Sequence, residues 1–173
     1  MVAHDTLGAS LASVTNAVVF VVRDPESKPA RGRWRERVHV CETSSGFEPR
    51  VIAIPVGATL TFENCDSIYH NAFSTAPAKR FNTGLCAPRQ QRQVVFDEPG
   101  LVNFFCELHR EGVGFVLVRP DRLFARPNAL GQFRLPRLPA GTYTFKAWHP
   151  IYGETSQRVS VARKARTIVR LAL

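Results

Sequence analysis

The sequence predicts an all-β protein, and three observations carry that expectation. Twelve prolines and eleven glycines punctuate 173 residues. The intervals between them are short and rich in β-branched and aromatic residues, and no long stretch holds apolar residues at helical spacing. With 45% apolar residues, the chain has core material for one domain or two small ones.

In chain order, VTNAVVFVV (Val14 to Val22) reads as a buried strand. Polar, proline-containing and basic sequence follows, densest in KPARGRWRER (Lys28 to Arg37), and reads as a linker over 25–35. Strand signals then come quickly: VHVCE, VIAIPVGATLTFEN with a turn at Pro55 to Gly57, QRQVVFDEPGLVNFFCE with a turn at Glu98 to Gly100, and GFVLV. This set predicts an antiparallel sandwich or barrel of short strands. After a boundary near Arg119 to Asp121, GQFRLPRLPAGTYTFKAWHP and QRVSVARKARTIVRLAL read as further strands joined by tight turns.

A formal charge of +9 and a pI near 10.1 invite a nucleic-acid reading. The arginines, however, scatter through strands and loops without a reading helix or an aromatic platform, so no nucleic acid is expected. A solvated linker, or a face that docks an acidic partner or an anionic surface, fits the charge better. No window approaches the roughly 18 consecutive apolar residues of a membrane span. The first residues lack the basic region of a secretion signal, which leaves a cytosolic protein or an exported one whose signal is absent from this chain. Four cysteines, Cys41, Cys65, Cys86 and Cys106, show no paired zinc-ribbon spacing. If Cys106 binds a metal, at most one disulfide forms within the monomer.

The chemistry concentrates in two segments. His70 lies in the loop after strand TFEN, in CDSIYHNAFS. Cys106 ends strand LVNFF, and His109 follows it across a tight turn. Three donors on two loops can meet at one end of a sandwich, and one thiolate with two imidazoles is a compact trigonal set suited to copper. On spacing alone the other reading stays open, because a lone buried cysteine is commonly a small hydrophobe. His39 alternates with Val38 and Val40 and so projects with Cys41 to one face of its strand. His149, in AWHP, reads as structural. Phe62, Phe73, Phe104, Phe105 and Phe115 read mainly as core, some of them drying the metal site.

The ordered set GFEPRVIAIPVGATLTFENCDSIYHNAFS, FDEPGLVNFFCELH and VGFVLV resembles the plastocyanin-like cupredoxins. The likeness is nearest to the methylamine-utilisation-protein-like branch, in which a cupredoxin is joined to a carboxypeptidase-regulatory-like β-domain. The resemblance implies an all-β fold: a Greek-key cupredoxin sandwich at 36–120 combined with a small Ig- or transthyretin-like sandwich. GQFRLPRLPAGTYTFKAWHP resembles the signature of that smaller domain, a scaffold or interaction module and not a peptidase. Because its first strand resembles VTNAVVFVV, the cupredoxin is expected to be inserted into it, between 8–24 and 121–173.

By the same resemblance His70, Cys106 and His109 are the ligands of one copper ion cycling between Cu(I) and Cu(II). Asn71 matches a position that ties the two ligand loops together. The family places a weak axial methionine three or five residues past the second loop histidine, and here those positions are Gly112 and Gly114. The chain's single methionine is Met1. The fourth position is therefore expected to be empty or filled by oxygen, with Glu111 and Glu48 as carboxylate candidates. A methionine at 112 is expected to restore a thioether unless the backbone there needs positive φ. The implied function is one-electron transfer to a redox partner protein, an acidic one given the basic surface, in a periplasmic or otherwise exported protein. The alternatives are a copper protein that binds or converts a small molecule at an open position, and a metal-free scaffold.

Overall fold

The computed structural model describes residues 13–22, 36–163 and 166–173. The chain divides into two compact units, one of residues 31–121 and one of residues 1–30 with 122–173. Among the described residues there is no α-helix, and no helix is long and apolar enough to cross a membrane. The expected linker, 25–35, lies outside the described residues.

The smaller unit opens with a 3-10 turn, Val14–Asn16, whose first free N–H groups are met by Ser13: its hydroxyl accepts from Thr15 N at 3.3 Å. The polar Thr15 and Asn16 thus sit in a turn, and the buried strand expected from Val14 is confined to β1 (Val18–Val22). The chain then forms the larger unit from β2 (Arg37–Thr43), β3 (Gly46–Glu48), β4 (Val51–Pro55), β5 (Ala58–Asn64), β6 (Ala72–Ser74), β7 (Phe81–Asn82), β8 (Gln91–Phe96), β9 (Gly100–Cys106) and β10 (Val113–Arg119). It returns to the smaller unit as β11 (Phe124–Ala125), β12 (Gly141–His149) and β13 (Gly153–Val161).

In the larger unit one sheet has the order β4-β10-β9-β6-β7 and the other β3-β2-β5-β8. The pairing is not wholly antiparallel as expected: β2 runs parallel to β5, and β4 parallel to β10. The two turns read from the sequence are corners rather than hairpins, and this is the physical reason. The 56–57 turn carries the chain from β4 in one sheet to β5 in the other, held by Val56 N–H on Arg119 O (2.8 Å) and Gly57 N–H on Phe96 O (2.7 Å). Gly57 has φ +89°, a conformation that suits glycine. The 97–99 turn carries β8 to β9 across the core in the same way.

Alternation along the strands fills the space between the sheets. Val40 on β2, Leu60 and Phe62 on β5, and Val102 and Phe104 on β9 are buried there. Phe104 meets Phe47 edge-on at 4.7 Å and Phe62 at 5.3 Å. Each such ring contributes about 1.5–3 kcal/mol by leaving water. The inward register continues past this apolar layer onto Glu42, Asn64 and Cys106, all buried. One end of the core is thus lined by polar donors and acceptors.

The smaller unit has one four-stranded sheet among the described residues, ordered β11-β1-β12-β13. Val21, Leu123 and Phe145 form its core, with Leu135, Leu138, Tyr143, Val169 and Leu171 packed against it. Residues 131–140 and 166–173, read from the sequence as strands, are irregular; Pro136 and Pro139 remove ladder donors there. Leu135 and Leu138 still pack inward, and Tyr143 Oη donates to Pro139 O at 3.0 Å.

Candidate metal centre

Three side chains converge at the polar end of the larger unit. The ligand atoms of His70, Cys106 and His109 lie within 4.8 Å of one another. Cys106 Sγ is 3.5 Å from Nδ1 of His70 and 3.5 Å from Nδ1 of His109, and the imidazole centroids are 4.5 Å apart. A metal with bonds of roughly 2.0 Å to nitrogen and 2.3 Å to sulfur in a trigonal plane holds N and S about 3.7 Å apart, so the spacing accepts one ion.

Local structure fixes each donor. Asn64, at the end of β5, donates from Nδ2 to Ile68 O (2.7 Å) and Cys86 O (2.8 Å), and its Oδ1 accepts from Asp66 N–H (2.9 Å). These bonds shape the loop that brings His70 inward. His70 then exchanges both backbone hydrogen bonds with Cys86, at 3.1 and 2.7 Å. Cys106 is set by β9, and its N–H donates to Gly112 O at 2.8 Å, closing the turn that carries His109. Asn71 spans the two loops: Nδ2 donates to Glu107 Oε2 at 2.5 Å, and its backbone O accepts from Glu107 N–H at 3.0 Å.

His70 is fully buried and His109 half-buried. Burial, then the neighbouring His109, hold His70 below the ordinary imidazole value, with Asp66 opposing; its lone pair is available. Asp66 Oδ2 stands 3.5 Å from His70 Nε2. Backbone N–H groups of Ser44 and Ser67 keep that carboxyl well below its usual range. Burial pushes the Cys106 thiol up, while N–H groups of Asn71 and Leu108 favour the thiolate.

The two carboxylates singled out from the sequence are not in this cluster. Glu48 is exposed at the end of β3, opposite Cys41 and therefore on the outward register. Glu111 is exposed in the turn after His109. The carboxylate beside the donors is Glu42, 2% exposed, with Oε1 3.8 Å from His70 Nδ1. Burial, opposed by the neighbouring Cys106 thiol, pushes its pKa up to about 7. Its signal was present in VHVCE: if His39 and Cys41 share one face, Val38, Val40 and Glu42 share the other.

At Gly112 and Gly114 space, not backbone conformation, excludes a side chain. Neither has positive φ. A Cβ on Gly112 would lie 2.4 Å from Cys106 Cβ, and one on Gly114 would lie 2.2 Å from Phe104 Cζ. The close approach of the 112–114 segment to β9 demands glycine, so the methionine considered at 112 does not fit without displacing Cys106.

Of the other cysteines, Cys41 and Cys65 form a disulfide. Cys86 is free and buried, and its Sγ lies 3.3 Å from Gln90 O. His39 is on the outer face, 2.5 Å from Glu63 Oε2. His149 is buried in the smaller unit.

Solved structures similar to this chain are cupredoxins at low identity and partial coverage. A purple cupredoxin from Nitrosopumilus maritimus is 29% identical, over 47% of this chain and 98% of that one, with a TM-score of 0.42. The pseudoazurin of Methylobacterium extorquens AM1 is 27% identical, over 48% and 75%, with a TM-score of 0.43. An oxidised amicyanin mutant is 22% identical, over 47% and 81%, with a TM-score of 0.44. No family model and no curated protein matches the chain. Among the described residues the chain is all-β, and its larger unit is a sandwich of two sheets with a histidine–cysteine–histidine cluster at one end.

Proposed function

We propose that this protein binds one copper ion through His70, Cys106 and His109 and serves as a one-electron carrier. The observation that carries the reading is the placement of a buried cysteine sulfur 3.5 Å from Nδ1 of two histidines, a donor set of one soft and two intermediate ligands suited to copper. When bound, copper supplies a one-electron couple at this site and keeps the thiolate deprotonated.

The surrounding residues fit that task. The bonds of Asn64 and Asn71 hold the donors in place, and a carrier gains from donors that need not move between oxidation states. His109 is the half-exposed member of the set and the natural exit for the electron. Ile68, Tyr69 and Leu108, on the loops that carry the donors, and Leu85, next to the Cys86 that pairs with His70, are exposed and offer an apolar surface for a brief encounter. The net charge of +9 favours an acidic redox partner and a salt-sensitive on-rate. The Cys41–Cys65 disulfide supports an exported, periplasmic-type setting, since such bonds persist under oxidising conditions.

The same reading takes 36–120 as a cupredoxin inserted into a carboxypeptidase-regulatory-like domain made of 8–24 and 121–173. It is supported by the sheet order, in which β1 lies between β11 and β12, and by the inward Leu135, Leu138 and Tyr143. That domain then acts as a scaffold.

Voltammetry of the copper-loaded chain tests the function. A reversible one-electron wave, and reduction of an acidic acceptor protein that slows as salt is added, are expected. An irreversible wave, or loss of copper on reduction, would sink the carrier reading.

A further inference from the structure

Glu42 is the buried polar group that a three-donor set leaves unexplained. It follows Val40 on the inward face of β2, where an apolar side chain would close the core. It is 2% exposed, and its Oε1 has no hydrogen-bond partner. Among the described residues no lysine or arginine pairs with it; the nearest titratable nitrogen is His70 Nδ1 at 3.8 Å, the same atom that faces Cys106 Sγ. A carboxylate is costly in such a place unless a cation answers it.

We infer that Glu42 is the fourth ligand of the copper proposed above, an oxygen donor at the His70–Cys106 edge of the site; the inference rests on that copper reading. The backbone of Glu42 is well placed to keep the carboxylate there. Its carbonyl accepts from Cys65 N–H at 2.9 Å, and the neighbouring Cys41 is joined to Cys65 by the disulfide. β2 is thereby pinned to the start of the loop that carries His70. Residues 112 and 114 offer no donor, because both are glycine and their contacts leave no room for a side chain.

The donor type has two consequences. A hard anionic oxygen stabilises Cu(II) relative to Cu(I), which lowers the potential. It also occupies the position that a small anion would otherwise take.

The test uses the full chain loaded with Cu(II) alone and read by visible absorption, potential and azide addition. Azide should leave the wild-type thiolate-to-copper band unchanged and should shift it in Glu42→Ala. Glu42→Gln should lose at least about tenfold of its preference for Cu(II) over Cu(I), a rise of about 59 mV in potential. An azide-sensitive wild-type band, a Glu42→Ala band as insensitive as wild type, or Glu42→Gln with wild-type spectrum and potential overturns the inference and leaves the copper reading standing. No thiolate band in the wild type overturns both. If Glu42→Ala folds poorly, the wild-type azide response and the Glu42→Gln potential decide.

Discussion

His70 and His149 are both buried, at 0% and 1% exposure, and burial lowers the pKa of each, yet they are used in opposite ways. In the smaller unit every ring nitrogen of His149 is answered. Nε2 donates to Ser13 O at 3.2 Å, and Nδ1 accepts from Ile151 N–H at 3.1 Å and Tyr152 N–H at 3.4 Å. The imidazole is a neutral hydrogen-bonding strut, stacked on Tyr152 at 4.7 Å. In the larger unit His70 Nε2 makes no hydrogen bond, with the Asp66 carboxylate standing off at 3.5 Å, and Nδ1 faces a thiol and a carboxylate. Equal burial with unequal satisfaction separates a histidine that holds a fold together from one held in readiness for a ligand.

The largest difference should appear in copper affinity. His70→Ala is expected to weaken Cu(II) binding at least about 100-fold in a chelator competition, and His149→Ala to leave it within about twofold. Equal losses would remove the distinction.

The disulfide is next in size. Cys41 and Cys65 are 24 residues apart, and opening that loop should cost about 3 kcal/mol. Chemical denaturation of Cys41→Ala/Cys65→Ala should show the loss in the larger unit and leave the transition of the smaller unit in place.

Stability without copper should reverse the order of the histidines. His149→Ala forfeits its hydrogen bonds and leaves a cavity, for about 2–4 kcal/mol. His70→Leu replaces a poorly satisfied polar group with an apolar one and should change the stability of the copper-free protein by no more than about 1 kcal/mol.

The smallest effect is in pH. The folded-state pKa of His149 is depressed, by burial first, with the Ser13 carbonyl opposing. Its contribution is fully present above the unfolded value of about 6.5 and declines as pH falls from there towards the folded value, because the unfolded chain takes the proton first. Thermal melts of wild type against His149→Asn should converge as pH drops below about 6.5. A gap that widens instead would show the imidazole to be charged when buried.

Much of this was legible in the sequence. The strand runs and the Pro55 to Gly57 turn could be read from apolar alternation and turn residues. His70, Cys106 and His109 stood out as one donor set only through the resemblance to plastocyanin-like cupredoxins, the CELH spacing alone leaving it open. The corner character of the turns was not, because a turn signal fixes where the chain bends and not whether the flanking strands pair. Glu42 was missed although its inward register was written in VHVCE: Glu48 and Glu111 were nearer in sequence to expected ligand positions, and burial outweighs sequence proximity. The role of Gly112 and Gly114 needed three dimensions, since only the approach of Cys106 Cβ and the Phe104 ring shows why no side chain fits.

The central claim is that Cys106, with its two histidines, holds copper. Stoichiometric Cu(II) titration of wild type and Cys106→Ala, followed by visible absorption, tests it most directly. One equivalent should give wild type an intense thiolate-to-copper band that Cys106→Ala lacks entirely. A full band in Cys106→Ala, or none in wild type, would contradict the account.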